Sequence, residues 1–145
     1  MSYSNLSGAA KMYQQVGAQS GVAQADAHRL IQMLLDGALD KISVAKGYME
    51  RSDIANKGAN ISWAISIIDG LRLSLDQEQG GEIANNLNDL YDYMGRRLVE
   101  ANVENNPLIL DEVSSLLNEV KGAWEAIPED VKLRHNALQV EEQNR

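Results

Sequence analysis

The amino-acid sequence predicts an all-α protein, an antiparallel four-helix bundle, from three observations. Both prolines stand late in the chain, at Pro107 and Pro128, so the strongest helix breaker is absent from everything before Pro107. Runs of β-branched and aromatic residues bounded by turns, which are typical of strands, are missing. Apolar residues instead recur every three or four positions, as on one face of a helix. Four such stretches of about 20 residues, joined by short loops, favour a bundle.

The first helix is predicted to begin at Asp26, a good N-cap residue, and to end near Arg51. Its core stripe is Ile31, Leu34, Ala38, Ile42, Ala45 and Met49. A turn follows at Ser52, and Asp53 is placed to cap the second helix. The stripe of the second helix is Ile54, Ile61, Ile65, Ile68, Leu71 and Leu75.

Glycine and proline mark the limits of the other two helices. Gly80 and Gly81 break the apolar pattern before the third helix, because glycine tolerates positive φ. The stripe of the third helix is Ile83, Leu87, Leu90, Met94, Leu98 and Ala101. Asn106 is a plausible cap for the fourth helix, and Pro107 suits its first position. The stripe of the fourth helix, which Pro128 ends, is Leu110, Val113, Leu117, Val120, Trp124 and Ile127.

The chain therefore divides into three parts. Residues 26–127 form the predicted helical bundle. Residues 1–25 are expected to be a mobile N-terminal arm, partly disordered or with a short helix. Residues 128–145 form a polar tail, in which four apolar residues could support a short fifth helix. These are Val131, Leu133, Leu138 and Val140.

Composition excludes several classes of function. The 145 residues include 13 Lys and Arg against 21 Asp and Glu, a formal charge of −8, whereas nucleic-acid binders carry basic patches. The absence of cysteine rules out disulfides, thiolate zinc sites and a cysteine nucleophile, and it fits a cytoplasmic protein. No apolar run approaches the roughly 18 residues of a membrane span. The N-terminus lacks the apolar segment of a secretory signal.

The sequence contains no pattern typical of a catalytic, metal or cofactor site. Neither His28 nor His135 has a glutamate three positions before it, so the Glu-x-x-His pairs of di-iron bundles are missing. The Gly80–Gly81 pair is followed by no Lys-Ser/Thr, which argues against a phosphate-binding loop. We therefore predict a protein that is not an enzyme and that uses no metal or cofactor.

His28 and the Arg96–Arg97 pair can each be interpreted either as ordinary structural residues or as functional ones. His28 stands on a predicted helix, as in a phosphotransfer domain. However, Ile31–Gln32 stands where such domains usually have Lys-Gly, and a partly exposed first-turn histidine is the simpler interpretation. Arg96 and Arg97 together offer positive charge to an anion, but acids stand four residues before and after Arg96, which favours surface ion pairs.

The helices carry more apolar surface than one core needs. In the second helix Trp63, Ile67 and Leu71 widen the stripe to roughly 200°, although a little over 100° suffices in a small bundle. Apolar residues also flank one edge of the first helix, namely Leu30, Met33, Val44 and Tyr48. Either the second helix is buried on two sides, or the surplus forms a groove for another amphipathic helix. A homo-oligomeric scaffold is a third interpretation.

Several segments resemble the flagellar secretion chaperone family, the FliS-type export chaperones of flagellin. They occur in family order from Met12 to Ile127, and the most specific stretch is Gly-Gly-Glu-Ile-Ala at 80–84 followed by Leu-Tyr-Asp-Tyr-Met at 90–94. Other matching stretches are Met12–Val16, Leu30–Ala38, Ala64–Ile68, Arg96–Leu98, Ala101–Asn102 and Ala123–Trp124. Asp26–Ala27 departs from the family, many members of which have Ser-Pro or a similar pair there.

The resemblance implies a helical bundle that binds the C-terminal segment of flagellin in the cytoplasm. It implies that binding prevents early polymerisation of flagellin and that the flagellin segment becomes helical on docking. It also implies that the chaperone contacts the flagellar type III export apparatus, including its gate. We place the groove at Leu30, Met33, Leu34, Trp63, Ile67, Leu71, Tyr91 and Tyr93. The family's N-terminal tyrosine region, a cover for a hydrophobic site, corresponds here to Tyr13 with Met12 and Val16.

Overall fold

The computed structural model of the chain describes residues 27–75 and 77–127, which form four α-helices. These are α1 (Ala27–Glu50), α2 (Ile54–Leu73), α3 (Gln77–Glu104) and α4 (Pro107–Glu125). The predicted all-α class is confirmed, and no strand occurs among these residues. The Asp26 cap, the arm of residues 1–25, and the tail of residues 128–145 with its fifth helix lie outside the described residues.

The helices pack in a ring in which each contacts two neighbours. α1 packs on α2 and α4, and α3 packs on the same two helices. Because the links between α1 and α2 and between α3 and α4 are only a few residues long, consecutive helices run antiparallel. The ends of the described chain, at Ala27 and Ile127, therefore lie at one end of the bundle, which we call the terminal end.

The centre of the ring is filled by the predicted stripes. Leu34, Ile61, Met94, Leu98 and Leu117 are among the fully buried side chains. Two stripe positions are wrong, because Ile54 and Ile83 are 68% and 73% exposed. Ile54 is the first residue of α2 and stands at the rim of the core. Ile83 lies in the first turns of α3, where no described helix covers it.

The two predicted cap residues stand at the starts of α2 and α4. The carboxylate of Asp53 accepts a hydrogen bond from the Asn56 backbone N–H at 3.2 Å, and the amide oxygen of Asn106 accepts one from Leu108 N–H at 3.0 Å. Pro107 opens α4. The break predicted at Gly80 and Gly81, before the third helix, is instead a kink inside α3, which begins at Gln77. Gly81 has φ 55° there, a conformation that suits glycine because it has no Cβ.

Buried Lys57 is a feature that the sequence analysis missed. Its side chain is only 3% exposed, and its ammonium donates to the backbone oxygen of Asn102 at 2.9 Å and to the side chain of Asn105. Asn105 has φ 53° at the end of α3. A cation from α2 thus caps the carboxyl end of α3, where carbonyls lack partners in the helix and the dipole favours positive charge.

Ion pairs and a hydrogen bond between side chains join neighbouring helices on the outside of the bundle. Lys46 and Asp111 at 2.9 Å and Lys121 and Asp36 at 2.6 Å join α1 to α4. Arg72 joins α2 to α3 through a 2.7 Å hydrogen bond from its Nε to Asn88.

Of the two ion pairs predicted for Arg96, with Asp92 and with Glu100, the structure contains one. Its Nε lies 3.2 Å from Asp92, as expected. Glu100, however, pairs with Arg97, the neighbouring arginine, which also reaches α4.

A candidate partner-binding seam between α1 and α2

A second apolar stripe runs along α1 beside the one that fills the core. Leu30, Met33, Gly37, Lys41, Val44 and Tyr48 follow one another at steps of three or four residues. This spacing places them on one face of the helix. Val44 is 37% exposed, and the other five are half-buried. The stripe is about 27 Å long at 1.5 Å per residue.

The stripe faces the boundary with α2. The Lys41 Nζ lies 5.7 Å from the ring centroid of Trp63 on α2, within the range of a cation–π contact. Trp63 is half-buried and packs with its inner side against the core. At the far end of the stripe, the guanidinium of Arg51 lies 4.8 Å over the ring of Tyr48. We call Leu30, Met33, Lys41, Val44, Tyr48 and Trp63 the α1–α2 seam.

The structure brings three of the eight predicted groove residues together along this seam. Leu30, Met33 and Trp63 are half-buried there. The prediction omitted Val44 and Tyr48, although they lie on the same edge of α1. The heptad-like spacing from Leu30 onwards is the signal that would have included them.

Four other predicted groove residues lie in the core. Leu34 and Ile67 are 0% exposed, Leu71 is 1% exposed and Tyr91 is 4% exposed. The two on α2 are buried because this helix packs against both α1 and α3, so that its broad apolar face is covered on two sides. In this conformation all four side chains belong to the hydrophobic core.

Trp124 is the one aromatic residue in the four predicted stripes, yet the structure also places Tyr91 in the core. Trp124 is half-buried against the core, whereas Tyr91 is a member of it. Burial raises the pKa of the Tyr91 phenol to about 12, because the phenolate form would lose its hydration.

Tyr93 lies on another side of the ring, between α3 and α4. Its hydroxyl donates to Glu112 Oε2 at 2.8 Å, and Arg97 Nε donates to Glu112 Oε1 at 2.7 Å. These hydrogen bonds, first that of Arg97 and then that of Tyr93, lower the pKa of Glu112, and the bond to Glu112 raises the pKa of Tyr93. Tyr93 is thus a polar tie between helices and is not part of the α1–α2 seam.

The prediction that His28 is partly exposed is wrong. Its side chain is 6% exposed and stacks on Trp124 with ring centroids 4.8 Å apart. An imidazole in this position is covered by the last turns of α4, a neighbour that the sequence of α1 alone does not reveal. The remaining predicted residues, Met12, Tyr13 and Val16, lie outside the described residues.

The described residues present an apolar surface rather than a reactive site. No three His, Asp or Glu side chains among them are grouped so that they could hold a metal ion. None of the described helices combines the length and apolar character that crossing a membrane requires. The α1–α2 seam is a long apolar strip, with the positive charges of Lys41 within it and of Arg51 at its far end. Such a surface suits another amphipathic helix.

Comparison with protein families decides the identity of this bundle. The model of the family described as flagellar protein FliS matches residues 9–131. The chain belongs to the FliS family. The match includes all four helices, so the FliS resemblance seen in the sequence is confirmed.

Curated FliS relatives agree over most of the chain. The flagellar secretion chaperone FliSB of Pseudomonas aeruginosa is 54% identical over 119 residues, which cover 82% of this chain and 94% of the relative. The flagellar secretion chaperone FliS of Salmonella typhimurium is 48% identical over 118 residues, 81% of this chain and 87% of the relative. That of Bacillus subtilis is 34% identical over 120 residues, 82% of this chain and 89% of the relative. These names describe chaperones of flagellar secretion and not enzymes.

Proposed function

We propose that this chain binds the C-terminal segment of flagellin in the cytoplasm, prevents its early polymerisation and delivers it to the gate of the flagellar type III export apparatus. Membership of the FliS family supports a role in flagellar secretion. The single observation that supports a helical client is the α1–α2 seam, an apolar strip that runs nearly the whole length of α1.

The dimensions and chemistry of the seam suit one amphipathic helix. Its length of about 27 Å corresponds to roughly 18 helical residues. Leu30, Met33, Val44 and Trp63 offer apolar contacts, while Lys41 and Arg51 offer positive charge to acidic residues on the client. Flagellin's terminal segments coil together in the filament through apolar stripes, and a chaperone that covers such a stripe prevents that association.

Binding of this kind needs no nucleotide. A client segment that becomes helical only on docking loses conformational entropy at that moment, so a large contact area still gives an affinity that permits release. Release then follows from transfer of the client to the export gate. The net charge of −8 keeps the chaperone soluble while its apolar seam is unoccupied.

The N-terminal arm completes the proposal as a movable cover. Met12, Tyr13 and Val16 supply apolar side chains that occupy the seam in the free chaperone and leave when the client arrives. A cover of this kind shields the seam from a second copy of the chain, which would otherwise be attracted by the same apolar surface.

Titration calorimetry of the full-length chain with a peptide of the flagellin C-terminal segment tests this function. We expect binding at micromolar concentration or tighter, and no binding of flagellin that lacks the segment. Absence of heat with the peptide, while the chaperone keeps its helical circular dichroism, would contradict the proposal.

The two alternatives lack support in the structure. A phosphotransfer role needs a reactive imidazole, but His28 is stacked on Trp124 and its Nε2 lies 3.1 Å from a backbone oxygen. A homo-oligomeric scaffold predicts association of the free chain, which light scattering measures directly. A monomer leaves the seam available for a client.

A further inference from the structure

The two cations at the α1–α2 seam have no acidic partner. Neither Lys41 nor Arg51 forms an ion pair with a carboxylate among the described residues. Elsewhere on the helices, cations do pair with Asp or Glu, namely Lys46, Arg72, Arg96, Arg97 and Lys121. The chain has 21 Asp and Glu against 13 Lys and Arg, so a shortage of acids does not explain the two unpaired charges.

Aromatic rings hold these two cations in place. The Lys41 ammonium lies 5.7 Å from the ring centroid of Trp63, and the Arg51 guanidinium lies 4.8 Å from that of Tyr48. Gly47 leaves room for the guanidinium, because a Cβ at that position would lie 3.3 Å from the Arg51 Nη1. A ring face attracts a cation less strongly than a carboxylate does, so each charge can still take an acidic partner.

The positions of the two cations define a spacing along the seam. Tyr48, which carries the Arg51 guanidinium, stands seven residues after Lys41 on the same face of α1. Seven residues correspond to about 10 Å along the helix axis. A second helix lying along the seam presents its own residues at that separation when they are also about seven positions apart.

We propose that Lys41 and Arg51 select a client helix with two Asp or Glu residues about seven positions apart beside its apolar stripe. This inference rests on the proposed function, because it assigns the charge pattern of the client at the same seam. On docking, each carboxylate draws one cation off its ring. The Lys41 ammonium thereby uncovers the indole face of Trp63, which then receives an apolar side chain of the client.

Discrimination follows from the cost of covering a charge. An apolar helix without acidic residues displaces water from Lys41 and Arg51 but supplies no counter-ion. A cation that loses its hydration without gaining a partner disfavours the complex. The seam therefore accepts an acidic amphipathic helix in preference to a neutral or basic one, although the chaperone itself carries a net charge of −8.

Titration calorimetry with two peptides tests this selection. One is the flagellin C-terminal peptide, and the other is the same peptide with every Asp and Glu replaced by Asn or Gln. We expect the natural chain to bind the amide version roughly tenfold more weakly. The chain with Lys41→Met and Arg51→Met is expected to bind the amide version no more weakly than the acidic one. Lys46→Met alters an α1 cation already paired with Asp111, and this control should keep the preference of the natural chain.

The same titrations separate failure of this inference from failure of the proposed function. If the peptides bind but the natural chain and the double variant show equal preferences, the selection by Lys41 and Arg51 is overturned while the proposed function stands. If neither peptide binds the natural chain, the proposed function fails and this inference falls with it.

Single amide replacements along the peptide test the predicted spacing. We expect the two replacements that weaken binding most to lie about seven residues apart, one sensitive to Lys41→Met and the other to Arg51→Met. Their order along the peptide then gives the direction of the client helix on the seam. A single sensitive position, or two adjacent ones, would contradict recognition by this pair of cations.

Discussion

His28 and Trp124 join the first turn of α1 to the last turn of α4 by two reciprocal hydrogen bonds. The imidazole Nε2 lies 3.1 Å from the Trp124 carbonyl oxygen, and the indole Nε1 donates to the His28 carbonyl oxygen at 3.0 Å. The two rings are stacked at an interplanar angle of 14°. The Trp124 carbonyl also accepts a hydrogen bond from the Ile127 backbone N–H at 3.3 Å, so the imidazole N–H is a further donor to it at the end of α4.

This pair is predicted to stabilise the fold through mutual contacts. We expect His28→Ala and Trp124→Ala each to lower the free energy of unfolding, with a coupling energy of about 1–3 kcal/mol in a double-mutant cycle. Urea denaturation followed by circular dichroism measures it. Ser43→Ala, an exposed site on α1, is the control for a change that removes no contact. Strictly additive losses would show that the two side chains act separately.

Trp63 is predicted to be the main anchor of the client on the α1–α2 seam. Trp63→Ala is expected to weaken binding of the flagellin C-terminal peptide at least tenfold, because large aromatic side chains dominate helix-in-groove contacts. Titration calorimetry gives the affinity, and the circular dichroism of the variant checks its fold. Leu108→Ala removes a 73% exposed apolar side chain on α4 and should leave the affinity unchanged. Equal affinities of the Trp63 variant and the natural chain would place the client elsewhere.

Lys57 is predicted to hold the end of α3 against α2. Lys57→Met keeps an apolar side chain of similar length but leaves the Asn102 carbonyl without the ammonium donor. We expect a loss of about 1–3 kcal/mol in the free energy of unfolding. Lys46→Met, which removes an exposed ion pair with Asp111, should change the stability much less. Comparable losses for the two variants would contradict the special role of the buried cation.

The hydrogen bonds of Glu112 predict a loss of stability in acid. Its pKa is lower in the folded chain than in the unfolded one, so the folded state gains stability above the unfolded pKa of about 4.3. That gain disappears as the pH falls through the lower folded pKa. Urea denaturation between pH 7 and pH 3 should therefore show a weaker acid dependence for Glu112→Gln than for the natural chain. Identical pH profiles would mean that the tie with Arg97 and Tyr93 does not contribute.

Local chemistry explains which parts of the fold the sequence could predict. Asp53, Asn106 and Gly81 act within one turn of their own position, so their roles follow from neighbouring residues. The exposure of an apolar side chain depends instead on which helix lies opposite it. Ile67 and Trp63 both belong to the broad apolar surface of α2, yet Ile67 is buried while Trp63 is half-exposed at the α1 boundary.

Long-range partners account for what the sequence did not reveal. The burial of Lys57 depends on the end of α3, and that of His28 depends on Trp124, which is 96 residues away along the chain. Helical periodicity contains no information about such pairs. It did predict the stripe that includes Leu30 and Met33, because those positions recur at the spacing of one helical face.

Photo-crosslinking from the seam tests the central claim most directly. A benzophenone attached at Val44→Cys stands on the α1–α2 seam, and one attached at Val99→Cys stands on α3, where the side chain is 52% exposed. With the C-terminal segment of flagellin present, we predict that illumination links the label at position 44 to the peptide and that the label at position 99 gives little product. Equal yields from both positions, or a product from position 99 alone, would contradict the assignment of the client to this seam.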